Sequence, residues 1–282
     1  MKKRTPCNEM INKLKCPLCA SGMRLSDDGA SIVCNGARRH CYDISSNGYV
    51  NLMPPGRAQG GDSREAVKAR KDFLSLDYYY PAASAIAETL EKYLSKRATV
   101  IDAGCGEGYY TAEIAAKDFL AAGVDISKHA SEFAAKRCYG RELDGFFAVG
   151  SVFELPFADE SADCVVNIFA PCAETEFTRV LKHGGILAVV YAGPEHLMGL
   201  KRAIYENVKK NDERADMPTG LKLLEEISVT FEISVEGRES VKNLFSMTPY
   251  YWRTSPTDSE KLDKIEKLDT TVDMRIAVYK RD

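Results

Sequence analysis

A glycine-rich stretch at residues 100–109, Val-Ile-Asp-Ala-Gly-Cys-Gly-Glu-Gly-Tyr, constrains this chain more than any other feature. Apolar residues precede it and a helical pattern follows it. A buried strand, a glycine turn and a helix open a nucleotide-binding α/β unit, in which the backbone approaches a ligand closely. The spacing differs from the Gly-x-Gly-x-x-Gly of dinucleotide sites. The stretch predicts a cofactor site that includes Asp102, Gly104, Gly106, Gly108 and Tyr109.

Strands and helices alternate after this turn. We predict strands at 98–102, 120–125, 145–149, 162–169 and 185–191, and helices at 108–117, 127–138 and 173–182. A long helix at about 195–210 precedes two further strands, 227–235 and 274–280, and the polar segment 209–218 is predicted to be a surface loop. The pattern predicts an α/β fold with a seven-stranded, Rossmann-like sheet whose last two strands are antiparallel.

Four of the nine cysteines lie close together near the start of the chain, with a histidine among them. An Asp-Asp-Gly turn signal between the first pair and the later ligands predicts a hairpin. Thiolates and imidazole are the ligands that tetrahedral zinc prefers, and a site with four protein ligands is structural. The spacing predicts a zinc-ribbon module with the ligands Cys16, Cys19, Cys34 and His40, and with Cys41 as the alternative fourth ligand.

The chain is predicted to have three parts: a zinc-binding module at 1–53, a linker with a connecting helix at 54–80, and the α/β domain at 81–282. Proline and glycine mark the linker. Asp62 and Ser63 are predicted to cap a helix that begins near Arg64, and a second helix covers about 82–95.

Polar residues follow the second, third and fourth predicted strands of the α/β domain. Asp125 lies about 20 positions after the glycine turn, where an acidic side chain accepts hydrogen bonds from ribose hydroxyls. Its alternative role is to cap the helix at 127–138. Ser151 follows the third strand and is a candidate cofactor contact. Asn167 and Phe169 close the fourth strand, where either sheet packing or a substrate pocket would explain them.

Several motifs carry a resemblance to known families. The Asp-x-Gly-x-Gly-x-Gly turn resembles motif I of the methyltransferases that use S-adenosylmethionine (SAM). The chain as a whole, from about residue 14 to 254, resembles the 23S ribosomal RNA guanine-N1-methyltransferases. The segments that match are Cys16-Pro-Leu-Cys19, Asn47-Gly-Tyr-Val-Asn-Leu52, Gly61-Asp-Ser63, Ala69-Arg70, Phe73-Leu74, 102–111, Ala170-Pro-Cys172, Gly193-Pro-Glu-His-Leu-Met198, Leu200-Lys201, Met247-Thr-Pro249 and Trp252-Arg253.

The resemblance implies SAM as cofactor, a structural Zn²⁺ ion, and methyl transfer to N1 of one guanine in a 23S rRNA hairpin or large-subunit precursor. It places cofactor contacts on Tyr79, on Gly106, Glu107 and Gly108 of the turn, and on His196. It is compatible with a homodimer. The spacing from Cys34 to His40 is longer than in that family, which leaves the choice between His40 and Cys41 open.

The net charge and the hydropathy of the chain limit how it could bind nucleic acid and whether it could span a membrane. The formal net charge is −3, so the whole protein does not attract nucleic acid, and only a local basic surface could bind RNA. No apolar run reaches the roughly 20 residues of a membrane span, which predicts a cytoplasmic protein without a membrane partner. The candidate basic residues are Lys2, Lys3, Arg4, Lys13, Lys15, Arg38, Arg39, Arg57 and Arg64.

Two other functions compete with this interpretation. A methyltransferase of small molecules would share the cofactor motifs but would have no need of the zinc module and its basic flank. A non-catalytic zinc-ribbon RNA-binding protein would need neither the glycine turn nor Asp125. A comparison of methyl transfer to rRNA and to small acceptors distinguishes the RNA methyltransferase from the small-molecule methyltransferase. A measurement of SAM binding distinguishes the RNA methyltransferase from the non-catalytic RNA-binding protein.

Overall fold

The structure, a computed structural model, describes residues 7–56, 60–211 and 218–282. The predicted basic residues Lys2, Lys3, Arg4 and Arg57 and most of the predicted loop 209–218 therefore lie outside the described residues.

The N-terminal module begins with helix α1 (Asn8–Ile11). Three short strands follow, β1 (Met23–Leu25), β2 (Ser31–Cys34) and β3 (Cys41–Asp43), which form an antiparallel sheet in that order. Met23 pairs with Cys34, so β1 and β2 form the hairpin that the Asp-Asp-Gly signal predicts.

The rest of the chain alternates strands and helices. The elements are β4 (Tyr49–Asn51), α2 (Arg64–Leu74), α3 (Tyr80–Tyr93), β5 (Thr99–Ala103), α4 (Tyr109–Ala115), β6 (Leu120–Asp125), α5 (Lys128–Gly140), β7 (Gly145–Val149), β8 (Ala162–Ile168), α6 (Glu174–Val180), β9 (Leu181–Ala192), α7 (Met198–Ile204), β10 (Lys222–Glu236), α8 (Arg238–Ser246), α9 (Pro256–Ser259) and β11 (Lys267–Lys280). A 3₁₀ helix, Glu260–Lys264, links α9 to β11.

The large sheet has the strand order β10-β11-β9-β8-β5-β6-β7-β4. The six strands β4 to β9 run parallel to their neighbours among these six in the sheet. Strand β11 runs antiparallel to both β9 and β10, so the predicted antiparallel arrangement of the last two strands is confirmed. Within the described residues the sheet has eight strands, so the predicted number of seven is wrong. The extra strand is β4, which pairs with β7 and covers an edge that would otherwise be open.

Both faces of the sheet are covered, which explains why β5 and β7 are buried at every position. Helices α3, α4, α5, α7 and α8 pack on one face. The zinc module and α6 cover the other, and module residues such as Ile11 and Leu14 share one apolar cluster with Phe157 and Phe177 of the α/β domain. The boundaries at 53 and 80 stay a prediction, because no observation fixes where one unit ends.

The predicted helix at about 195–210 is wrong over most of its length. Leu197 has a φ of +56°, outside the right-handed helical region, so α7 begins only at Met198. It ends at Ile204, after which Tyr205 is extended. Lys201 Nζ then donates to the Lys209 carbonyl at 3.1 Å, which directs the chain back along the helix.

Helices α8 and α9 and the 3₁₀ helix were not predicted, and β10 and β11 extend well beyond their predicted bounds. The two strands form a long antiparallel ribbon. Lys222 pairs with Lys280 at one end of it, and Glu236 pairs with Lys267 at the other. None of the helices in the described part of the chain is long and apolar enough to cross a membrane.

Candidate active site and zinc cluster

The carboxyl ends of the parallel strands gather the predicted cofactor residues at one edge of the sheet, where open α/β sheets bind ligands. Gly104 follows β5, Asp125 ends β6, Ser151 follows β7 and Phe169 follows β8. This edge is the candidate active site.

The three glycines of the turn have different neighbours, although all three have positive φ angles. A Cβ at Gly104 would lie 2.5 Å from the Ala170 Cβ, and one at Gly108 would lie 2.7 Å from the Ala134 Cβ in α5. These two glycines permit close packing of the chain. A Cβ at Gly106 would instead lie 3.1 Å from the Arg70 guanidinium, the end of a flexible side chain.

Asp102 lies beneath the turn and is buried. Thr111 Oγ1 donates to Asp102 Oδ2 at 2.6 Å, whereas Oδ1 has no hydrogen-bond partner among the described residues. Burial raises the pKa of Asp102 to about 7. A buried acceptor without a donor calls for a ligand that supplies one.

Asp125 holds the turn and the next loop together. Its Oδ2 accepts from the Gly106 amide at 3.0 Å, and its Oδ1 accepts from the Ser127 amide at 2.8 Å. Ser127, and not Asp125, caps α5, because its side chain accepts from the Ala130 amide. Burial raises the pKa of Asp125. Each carboxylate oxygen keeps a second acceptor position for a ribose hydroxyl.

The sequence did not predict a partly buried set of ion pairs beside the turn, made by Arg70 with Glu107 and Asp62. Arg70 Nε donates to Glu107 Oε2 and Arg70 Nη1 donates to Asp62 Oδ2, both at 2.7 Å. Ser127 Oγ donates to the Asp62 carbonyl at 2.9 Å. Residues 60–63 and α2 thus form a strap that contacts both the glycine turn and the loop after Asp125. The strap could have been sought in the matching segments around residues 61–63 and 69–70.

Two other predicted cofactor residues already have partners within the protein. Ser151 Oγ accepts from the Phe153 amide at 3.2 Å. Tyr109 is buried in the first turn of α4, where its hydroxyl donates to Asp77 and Arg137 stacks on its ring at 5.2 Å. Their contribution to cofactor binding stays a prediction.

The end of β8 is held by Asn167, which is fully buried. Its Nδ2 donates to the carbonyls of Ala103 at 3.3 Å and Pro171 at 3.1 Å, while its Oδ1 is buried without a partner in the described chain. Phe169 has a φ of +51° and is 49% exposed. A phenylalanine in this conformation costs of order 1–3 kcal/mol, and such strain concentrates at functional sites.

His196 lies between Phe169 and Tyr79, with ring centroids at 5.6 Å and 6.3 Å. The amide of Asp273 donates to His196 Nδ1 at 3.2 Å, which assigns the ring proton to Nε2. Burial lowers the pKa of His196 to about 4, so the ring is neutral at physiological pH. Tyr79 is fully buried, and its hydroxyl has no partner among residues 7–56, 60–211 and 218–282.

The His196 loop is fixed by two residues that the sequence did not single out. Asp273 Oδ2 accepts from the Glu195 amide at 2.9 Å, and Asn211 Nδ2 donates to the His196 carbonyl at 3.0 Å. The only signal in the sequence was a carboxylate within the apolar pattern of β11, and nothing there indicates its partner.

The structure brings the sulfur atoms of three cysteines and the imidazole of His40 within 4.8 Å of one another, a set made by Cys16, Cys19, Cys34 and His40. Cys41 lies in β3, is exposed and is outside this cluster. The donor set suits a closed, tetrahedral zinc site. The cluster is tied to the α/β domain, because the Lys15 amide donates to the Pro156 carbonyl at 3.0 Å.

The residues at the sheet edge fit SAM. Asp102 Oδ1 and Asn167 Oδ1 are buried acceptors without a partner among the described residues, and the ammonium of SAM is a group that would satisfy them. Four carboxyl groups and one guanidinium face the glycine turn and its flanks, a charge balance that suits a ligand with an ammonium, a sulfonium and one carboxylate. These groups are Asp62, Asp102, Glu107, Asp125 and Arg70.

Comparison with known proteins agrees with this geometry. The model of a methyltransferase domain matches residues 94–255, and the RlmA N-terminal zinc-ribbon model matches residues 14–58. A 23S rRNA (guanine(748)-N1)-methyltransferase of Streptomyces fradiae is 32% identical over 200 residues, which cover 69% of each chain. The Bacillus subtilis protein YxjB, provisionally named a 23S rRNA (guanine-N1)-methyltransferase, is 28% identical and covers 95% of this chain and 97% of its own.

The crystal structure of Bacillus subtilis YcgJ has a TM-score of 0.50 with 14% identity, covering 71% of this chain and 98% of that one, which supports the fold alone. The predicted methyltransferase fold, the zinc-ribbon module, and SAM and structural zinc as cofactors are confirmed by these matches and by the cysteine–histidine cluster. The chain belongs to the 23S rRNA (guanine-N1)-methyltransferase family.

Proposed function

We propose that this protein transfers the methyl group of SAM to N1 of one guanine in 23S rRNA. The observation that carries the proposal is the meeting of an acid-rich glycine turn with the cluster of Tyr79, Phe169 and His196 at one edge of the sheet. The names of the relatives from Streptomyces fradiae and Bacillus subtilis support the substrate.

The cofactor would be held by groups that the fold has already oriented. Asp102 Oδ1 and Asn167 Oδ1 would accept from the ammonium, Asp125 from the ribose hydroxyls, and Arg70 would face the carboxylate with N–H groups that its two acidic partners leave unused. Bound SAM supplies an electrophilic methyl group, and the enzyme contributes mainly by positioning the reactants.

The proton on guanine N1 must leave during the reaction. His196 does not accept it in the observed arrangement, because Nδ1 already accepts the Asp273 amide and Nε2 carries the ring proton. His196 instead offers an N–H donor to the pocket. A guanine paired in a stem must first be extruded, since its N1 is otherwise engaged.

RNA affinity would come from a local basic surface on the zinc module. Arg38 and Arg39 are exposed, as is Arg64 at the start of α2, while Lys13 and Lys15 are half-buried.

A 23S rRNA hairpin, free or in a large-subunit precursor, is the proposed partner, and the cytoplasm is the proposed location. We also propose that the protein forms a homodimer, which light scattering of the purified protein would test.

Purified protein, tritiated SAM and unmodified 23S rRNA test the proposal, with guanosine and GTP as small acceptors. We expect label in the RNA and none in the small acceptors. Label in the small acceptors alone would support a small-molecule methyltransferase, and SAM binding without any transfer would contradict the proposed activity.

Substitution of Arg38 and Arg39 by alanine tests the basic surface. If both arginines bind phosphates, the slope of log affinity against log salt should fall by roughly 0.7–0.9 for each phosphate that the variant no longer neutralises. Zinc content and SAM affinity should stay unchanged. An unaltered salt slope would remove both arginines from the RNA-binding surface.

A further inference from the structure

Two aromatic side chains are exposed in the segment that follows α8. Trp252 is 74% exposed and Tyr251 is 45% exposed, whereas the neighbouring Phe245 is buried. The rings pack edge to face, with centroids at 5.5 Å between Phe245 and Tyr251 and at 5.0 Å between Tyr251 and Trp252. An ordered set of large rings left in water marks an interaction surface rather than a core.

Hydrogen bonds hold this segment and connect it to the candidate active site. Thr254 Oγ1 donates to the Tyr250 carbonyl at 2.8 Å, and Thr248 Oγ1 donates to the Phe245 carbonyl at 2.7 Å. Tyr250, the residue next to the exposed rings, donates to Asn211 Oδ1 at 2.9 Å. Asn211 also donates to the carbonyl of His196, so two hydrogen bonds connect the residue before the exposed rings to the loop of the proposed acceptor pocket.

Tyr251 and Trp252 line a groove of about 440 Å³ with Ala66 and Ala69 of α2 and with Asn243 of α8. Its size lies in the range of small-ligand sites. Helix α2 is the one whose Arg70 covers the glycine turn, so the groove adjoins the cofactor strap on its outer side.

The charges of the groove decide which part of an RNA it suits. The acidic groups Glu65, Glu260 and Asp263 line it with one lysine, Lys242, so it repels a phosphate backbone. A neutral base suits it, because its faces stack on aromatic rings and its N–H groups find acceptors. Arg253, adjacent to Trp252, is exposed and forms no ion pair with the described acidic groups, so its guanidinium is available for a phosphate of the same RNA.

We propose that Tyr251 and Trp252 form a stacking surface for one unpaired base of the substrate RNA, close to the target guanine. This inference rests on the proposed function. It implies that the protein selects a loop or bulge, because bases inside a duplex are already stacked.

Trp252 is the only tryptophan of the chain, so its fluorescence reports on this surface directly. The probes are an RNA hairpin with a purine-rich loop and a blunt duplex made from the same stem. We expect the hairpin to quench the fluorescence at saturation and the duplex to leave it unchanged. Equal quenching by both probes, or none by either while labelled RNA still binds, would overturn the proposal.

The variant Trp252→Ala should weaken hairpin binding by about 5-fold to 150-fold in anisotropy of labelled RNA, the effect of removing one stacked base. Trp252→Phe should keep most of the affinity. Leu223→Ala, which removes a 50% exposed apolar side chain on the edge strand β10, is the matched control and should bind like the wild type. SAM affinity and melting temperature should not change in any of the three.

Two outcomes separate this inference from the proposed function. If the wild type methylates 23S rRNA and Trp252→Ala binds the hairpin normally, the stacking surface is wrong and the proposed function stands. If the wild type neither binds nor methylates RNA, the proposed function is wrong, and the stacking surface, which rests on it, is wrong as well. A change from dimer to monomer in Trp252→Ala, with RNA affinity intact, would make this surface a contact between two copies and would also overturn the proposal.

Discussion

The cofactor side of the site, which comprises Asp102, the turn 104–108 and Asp125, is held together within a short stretch of chain. The Gly106 amide and the Asp125 carboxylate are 19 residues apart, and Thr111 and Asp102 are nine apart. The acceptor side is formed by Phe169 with Tyr79 and His196, two residues that the resemblance predicts as cofactor contacts and that we propose also face the acceptor. It depends on distant residues. Its main support, the Asp273 amide at His196 Nδ1, joins residues 77 positions apart.

This difference implies two kinds of sensitivity. Changes on the cofactor side should act directly on SAM affinity, because the groups that contact the ligand also form the turn. Changes behind the acceptor side should act on methyl transfer, since they move His196 and leave the glycine turn in place. Substitutions on each side can therefore separate binding from transfer.

The largest expected effect is that of Gly106→Val. The valine would need a positive φ and would displace the Arg70 guanidinium, which we propose faces the cofactor carboxylate, so we expect no measurable SAM binding by calorimetry. Gly140→Ala is the matched control, because nothing lies within 4 Å of a Cβ at that position. Tight binding by Gly106→Val would place the cofactor elsewhere.

Asp273→Ala should affect the acceptor side. It removes the acceptor for the Glu195 amide and leaves the Arg275 guanidinium without this carboxylate. A displaced His196 should lower the rate of methyl transfer by about 10-fold to 100-fold, as expected for a misplacement of about 1 Å. SAM affinity should change by less than about threefold. Asp273→Asn keeps the acceptor and should recover part of the rate, whereas a loss confined to SAM affinity would contradict the division into two sides.

A smaller effect concerns pH and Asp102. Because burial raises its pKa to about 7, the carboxylate that attracts the ammonium forms only as pH rises through that value. SAM affinity should therefore increase from pH 6 to pH 8, by up to about tenfold for each pH unit below the pKa. Asp102→Asn should bind more weakly and should lose the part of this dependence that belongs to Asp102. Identical pH profiles for variant and wild type would show that Asp102 does not titrate in this range.

The smallest expected effect is that of Ser151→Ala. The hydroxyl accepts from the Phe153 amide in a half-exposed turn, so its removal should change SAM affinity by no more than about 0.5 kcal/mol, which is about twofold. A decrease of tenfold or more would reveal a direct cofactor contact at Ser151.

The sequence predicted best what is local. The strand β5, the glycine turn and Asp125 follow from residue type and spacing over about 25 positions, and the hairpin of the zinc ribbon follows from its turn signal. Only the resemblance marked the segments that contain Asp62 and Arg70. Residue type and spacing do not predict the strap formed by Arg70 or the support from Asp273, because each joins residues far apart in the chain. The same reason explains β4, which is too short for a clear pattern and is defined by its pairing with β7.

The central claim is methylation of guanine N1 in 23S rRNA. The most direct test is mass spectrometry of the nucleosides from an unmodified 23S rRNA transcript after incubation with the protein and SAM. The account predicts 1-methylguanosine, approaching one per RNA molecule, and none with Gly106→Val. Unmodified RNA at full cofactor and zinc occupancy, or a methyl group on any other position of guanine, would contradict it.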